Sequence, residues 1–394
     1  MKSFFKEITL FRLSLLFIIF FSGGIQIFSI LISTLIPTIL IFILYSKYKI
    51  VVIHKNIKAI SFVVILYFSY AVFIANDLED IKFVVFRLVR FMMAIFLLNF
   101  IYVKRVQFID ELYIVLKWLA IHGVFNFVIV YFLFKYFTFI PETNTSSIFV
   151  FFGPQNIEGL FRRNQGVFWE PGVFQIYLNV FLFINLFYRN SKNKFPVWII
   201  LALILTTVST TGFFISFLLI TYSYFFRSKI TGKRIFVMIF TFPFVFLYSN
   251  YTIETVEKKI SGNQNGSYLA RNFDTLNGFT LAYNNPFGIG FSTAKYQEVA
   301  EKNLFKIDTE ITTDRANTNS IAMLFYSTGF GWGIIFLILM YRQKVFLKNK
   351  FLFFLLIFFS LFSEPLFFTP FFLLFPLSGI SKISDGLKNK KIKL

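Results

Sequence analysis

The sequence predicts an all-α integral membrane protein with about 12 transmembrane helices and two large loops on one side. Composition is the first reason. Hydrophobic residues make up 57% of the 394-residue chain and charged residues only 15%, whereas soluble domains run at about 45–50% and about 25%. The second is the length of the apolar runs, such as 351–359, which no soluble surface could cover. The third is a consistent sidedness of charge.

A membrane-spanning helix needs roughly 20 mostly apolar residues. Such stretches lie near 8–24, 27–46, 57–75, 82–102, 112–136, 171–188, 196–211, 213–226, 235–250, 317–341, 351–363 and 366–381. Several are short, so the hairpins at Gly23-Gly24, Thr211-Gly212 and Glu364-Pro365 can lie inside the membrane, with Glu364 solvated at its hairpin. The basic start runs into an apolar stretch from Ile8 with no small-residue cleavage site, which favours a retained first helix over a removed signal peptide.

Charge then fixes the orientation. With a cytoplasmic N-terminus, the inside connections hold Lys47, Lys49, Lys55 and Lys58, then Lys104 and Arg105, then Arg189, Lys192 and Lys194. Arg227, Lys229, Lys233 and Arg234 follow, then Arg342, Lys344, Lys348 and Lys350, and a basic tail over about 382–394. Acidic residues such as Asp77, Glu79, Asp80, Glu142, Glu158 and Glu170 fall outside. This is the positive-inside pattern, and it places both termini in the cytoplasm. Residues 1–394 form one polytopic domain with outer loops over about 138–170 and 251–316. The second loop has a flexible stretch at Gly262–Gly266, helical character from Tyr268 to Tyr283 and a further short helix over Ala294–Phe305. The lack of an internal repeat weighs against transporters built from two similar halves.

The same composition excludes several chemistries. There is no cysteine, hence no thiolate chemistry, and His54 and His122 are too few for a histidine metal site. The net charge of +20 belongs to the cytoplasmic connections, so nucleic acid is not an expected partner. A phosphate-binding glycine loop and an Asp-x-Asp motif are both missing, so neither ATP coupling nor a nucleotide-sugar donor is expected. No metal or other cofactor is called for.

The candidate chemistry lies in the loops. Arg162 and Arg163 precede a glycine turn and could grip a phosphate or pyrophosphate through forked hydrogen bonds. Glu170 stands where the next helix begins, with Pro171 suited to its first turn. The alternative is a simple helix start with interfacial anchors. Arg271, the run Asn285-Pro286-Phe287-Gly288-Ile289-Gly290, and Asp314 with Arg315 come from the second loop. Arg87 and Arg90 share one face of a predicted span, and ionisable groups at that depth either serve function or snorkel to headgroups. His122 reads as a packing residue.

These features together resemble the O-antigen polymerase/ligase superfamily, integral-membrane enzymes that join lipid-linked glycans. The resemblance covers roughly 150–340 and rests on Arg163 through Gly172 before a span and on Ser209-Thr210-Thr211-Gly212 between two short spans. Arg271 spaced ahead of Asn285–Gly290, and Asn319 opening a span that carries Gly329 and Gly331, complete it. It implies a metal-independent, GT-C-like fold transferring sugar from undecaprenyl pyrophosphate at the outer face of the bacterial inner membrane. On this resemblance Arg162, Arg163 and Arg271 hold the pyrophosphate, with Arg315, Arg87 and Arg90 as further candidates. Ligases of the superfamily carry histidine where this chain has Thr318, which favours the Wzy-type polymerase of surface-polysaccharide synthesis over a ligase or a repeat-unit flippase. Glu170 is the first candidate for the base, with Asp274 or Asp314 as alternatives. The implied partners are lipid-linked repeat units, membrane lipids and a chain-length-regulating co-polymerase.

Overall fold

A computed structural model describes residues 2–24, 30–75, 78–104, 106–140, 145–154, 162–189, 195–226, 265–304 and 317–380. The chain is mostly helical, as the apolar runs dictate. Five helices come first: α1 (Lys2–Phe21), α2 (Ile30–Tyr48), α3 (Lys55–Phe73), α4 (Leu78–Lys104) and α5 (Phe108–Leu133). After a small sheet come α6 (Pro171–Phe187), α7 (Phe195–Thr207) and α8 (Thr210–Phe226). The second loop contributes α9 (Asn265–Asn284) and α10 (Thr293–Leu304), and the chain closes with α11 (Ser320–Tyr341), α12 (Lys350–Ser363) and α13 (Pro370–Ile380).

Among the described residues, four helical segments are long and apolar enough to cross a membrane: 55–73, 78–104, 108–136 and 320–341. Seven shorter apolar helices accompany them among the described residues. The chain is in these terms compatible with an all-α membrane protein. The expected span at 235–250, residues 262–264 of the glycine-rich stretch, Asp314, Arg315 and the tail beyond 380 lie outside the described residues.

One departure from an all-helical chain is plain. Residues 138–154 contain a three-stranded antiparallel sheet, β1 (Thr138–Ile140), β2 (Thr145–Ile148) and β3 (Phe151–Pro154), with Thr138 opposite Ser147 and Ser146 opposite Gly153. It is docked on α5 by the buried Asn126, which donates to the Phe152 carbonyl at 3.0 Å and accepts from the Phe152 N–H at 2.8 Å. His122 stacks on Phe151 and lies 3.0 Å from the Val150 carbonyl, a packing role as expected.

The helix ends collect into two poles. At one, Trp169 N–H donates to the Gly23 carbonyl, Asn164 N–H to Thr206, and Phe371 N–H to the Ser22 hydroxyl. Tyr70 reaches the Phe287 carbonyl, and Ser320 Oγ bonds the Glu364 carbonyl at 2.6 Å. At the other, Arg189 pairs with Asp110 at 3.4 Å, Lys348 N–H donates to Tyr188 and Lys344 N–H to Ser378. Next to this second pole the core is aromatic: Phe183, Phe346 and Phe375 all pack around Phe353.

α11 is broken in its middle. Gly329 takes φ +78, and the turn Pro286–Gly288 fills the gap: Phe330 N–H donates to the Pro286 carbonyl and Ile289 N–H to Tyr326, both at 2.9 Å. A Cβ on Gly329 would stand 2.7 Å from the Pro286 oxygen, so both conformation and space require glycine. The Asn285–Gly290 run is thus a plug for a broken span.

Candidate functional site

At the first pole, segments far apart in sequence converge on Arg271 of α9. Glu170 is the N-cap residue of α6, set in extended backbone by Pro171 behind it. Its side chain makes no capping bond to the helix. It reaches Arg271 instead, with Oε1 2.9 Å from Nη2. Glu364 follows α12, also in extended backbone, and its Oε1 lies 3.2 Å from the same nitrogen.

The two acids differ in exposure. The side chains of Glu170 and Arg271 are each 34% exposed, and that of Glu364 only 2%. Glu364 is buried because Gly172, in the first turn of α6, has no side chain: a Cβ there would stand 2.1 Å from Glu364 Oε1. The carboxylate rests against a helix N-terminus, where the peptide dipoles favour negative charge. Burial nevertheless raises its pKa, the charge of Glu170 adds to this, and Arg271 and Arg163 only partly oppose them, so it is pushed up to about 8. Bonded to one nitrogen, the two carboxylates lie within about 6 Å, close enough for the charge of Glu170 to act on Glu364.

Arg163 completes the group. Its Nε donates to the Thr207 carbonyl at 2.9 Å, at the end of α7, and its charge is felt by Glu364. Asn164 fixes the segment: it accepts from Asn126 Nδ2 and Gly166 N–H and donates to the Gly123 carbonyl and Thr206 Oγ1. Ser209 Oγ caps α8 by accepting from Gly212 N–H at 3.3 Å. The cluster thus holds two arginines and two carboxylates. With Glu364 protonated it carries one net positive charge; with both acids ionised it is neutral.

The structure brings together Arg163, Glu170 and Arg271 as the sequence predicts. It corrects other expectations. Arg162 faces away, its Nη1 donating to the Pro154 carbonyl at 3.0 Å and its guanidinium lying 3.5 Å above the Phe134 ring. It ties the sheet to the turn that follows α5. Asp274 lies in a separate network, where its carboxylate accepts from Tyr296 Oη at 2.8 Å and from Thr318 Oγ1 at 2.7 Å. It latches α9 to α10 and to the start of α11, which Asn319 caps through Ile321 and Ala322 N–H. Arg87 and Arg90 belong to α4 and, among the described residues, make no hydrogen bond or ion pair with the cluster, while Arg315 and Asp314 fall outside the described residues.

Glu364, expected to be solvated, is a member of the site. Its signal was that it is the only charged residue between Lys350 and Lys382, and a lone carboxylate in apolar surroundings calls for a partner. Comparison of the chain with protein-family profiles, characterised proteins and solved structures gives no match.

Proposed function

We propose that this chain is a polymerase of lipid-linked oligosaccharides, of the O-antigen polymerase kind, in the bacterial inner membrane. On this reading it has about 12 spans in a GT-C-like arrangement, with both termini cytoplasmic and the Arg271 pole facing outward. The observation that supports it is the joining of Arg163, Glu170, Arg271 and Glu364 at one end of an apolar helix bundle.

The chemistry follows from those groups. An acceptor hydroxyl attacks the anomeric carbon of the donor, and the bond from that carbon to the pyrophosphate oxygen breaks. Charge builds on the departing lipid pyrophosphate, where Arg271 and Arg163 stabilise it. Glu170, the exposed carboxylate, takes the hydroxyl proton. Glu364 positions Arg271 and, when protonated, leaves the cluster positive before the anion arrives.

The test is the gel profile of surface glycolipid from a host strain lacking the protein, complemented with wild type or Glu170→Gln. A missing long-chain ladder with one repeat unit still attached is the expected outcome without the protein, and Glu170→Gln should fail to restore it. Loss of that single unit, with long polymer accumulating on the carrier lipid, would indicate a ligase instead.

A further inference from the structure

The small sheet carries a feature that the candidate site does not use. Ile148 stands opposite Phe151, so β2 and β3 are joined by two residues only, Phe149 and Val150. Phe149 takes φ +53, a conformation for which tight turns ordinarily use glycine. Its ring is not packed away in return: Phe149 is 90% exposed and Val150 is exposed beside it. In water, nothing among the described residues offsets either the backbone strain or the bare ring.

The level of this tip follows from its contacts with α5. His122 meets the Val150 carbonyl at 3.0 Å and stacks on Phe151. One turn further on, Asn126 holds both backbone groups of Phe152, and Gly153 lies against Val130 and Phe134. β3 therefore runs along the helix with the tip of the hairpin at its His122 end. His122 is the central residue of the segment Phe108–Tyr136, whose 29 residues are long and apolar enough to cross a membrane. About 20 residues span the hydrocarbon, so whichever part of the segment lies in it, His122 is included. Beside His122, the side chains of Ile121, Phe125 and Val128 are exposed on the same helix, and the tip of the hairpin extends that apolar surface.

The polar groups fit the same place. Backbone inside a bilayer needs partners from the protein, because no water is there to supply them. His122 and Asn126 are the two polar side chains between Trp118 and Val130. Both direct hydrogen bonds at the backbone of the hairpin.

We propose that the β2–β3 hairpin is a membrane anchor, whose Phe149–Val150 tip enters the lipid layer alongside α5. The proposal needs α5 to cross the membrane and takes nothing from the polymerase reading. The anchor is joined to the arginine cluster, because Asn126 Nδ2 also donates to Asn164 Oδ1 at 3.1 Å, and Asn164 fixes the segment that carries Arg163.

The chain has no cysteine, so Phe149→Cys provides a unique attachment point, and the exposure of that residue spares the packing. The full chain is reconstituted in vesicles of phosphatidylethanolamine and phosphatidylglycerol with a nitroxide on this cysteine. Power saturation then compares collisions with oxygen, which concentrates in lipid, and with a nickel chelate confined to water. Phe125→Cys on α5 and Lys302→Cys, at an exposed charged position on α10, are the references. The label at 149 should resemble that at 125, with an oxygen-to-nickel ratio several-fold above that at 302, and Val150→Cys should follow it. Nickel access at 149 equal to that at 302 places the tip in water and overturns the proposal. Shielding from both reagents also overturns it, since a protein partner or a second copy then covers the tip. Lipid at 125 with water at 149 removes the anchor alone; water at both removes the membrane placement of α5 as well.

Discussion

Replacing Gly172 with alanine should detach the Glu364 carboxylate from Arg271 while the helices stay in place. The new Cβ would stand 2.1 Å from Glu364 Oε1, and ordinary contact begins at 3.4 Å, so the carboxylate must retreat by the difference, 1.3 Å. A retreat away from Arg271 takes its 3.2 Å bond beyond hydrogen-bonding distance. The three atoms nearest that Cβ belong to the ends of glutamate side chains, which can give way without the backbone moving. Losing a charge-assisted hydrogen bond costs about 1.5–3 kcal/mol. Arg271 is a third exposed, which favours the lower figure and corresponds to a fall of about tenfold in rate. The assay is the yield of long-chain glycan per folded protein in a complemented strain, beside the melting temperature of the purified chain. In a Glu364→Ala background the same glycine change should do nothing more, because its target is gone. An equal loss with and without Glu364 would refute the reasoning.

Three other outcomes follow from the same geometry. Glu364 is raised to about 8 by burial and by Glu170, against Arg271 and Arg163; a carboxyl raised on folding keeps a proton that the unfolded chain releases above about 4.3. Its stabilising contribution is therefore complete below about pH 4.3 and is lost as pH climbs towards 8, so the melting temperature should fall over that range and Glu364→Gln should flatten the fall. Gly329→Ala would place a Cβ 2.7 Å from backbone atoms of Pro286 and Phe287 at a positive φ, and should cost roughly 3 kcal/mol or more, seen as loss of the monodisperse peak on size-exclusion chromatography. Asn164→Ala strips four bonds from a buried network and should cost about 2–3 kcal/mol, read as a melting temperature several degrees lower.

Much of this architecture is visible in the chain because membranes impose long apolar runs, and those runs can be counted. The helices at 265–284 and 293–304 were legible too, within a few residues, from helical stretches bounded by turns. The sheet at 138–154 was not, since strands of three or four residues such as Thr145–Ile148 carry no periodicity to detect. At the site, Arg162 and Arg163 looked equivalent; which one turns inward is decided by Asn164 locking onto α5 and α7. Glu364 was misread because its burial depends on the missing side chain of Gly172, a residue far earlier in the chain. The partners of Asp274 were not legible because Tyr296 and Thr318 come from segments 22 and 44 residues further along the chain.

The notch in α11 has a bearing on how the chain is made. A span whose hydrogen bonding lapses at mid-length cannot rest in hydrocarbon until other groups take up the slack. Those groups, Pro286 and Ile289, leave the ribosome before Ser320–Tyr341 does. The wedge is synthesised ahead of the slot it will occupy. A circular permutant that moved 265–290 behind residue 341 would keep every contact of the finished fold, yet it would ask the membrane to receive a gapped helix with nothing to close it.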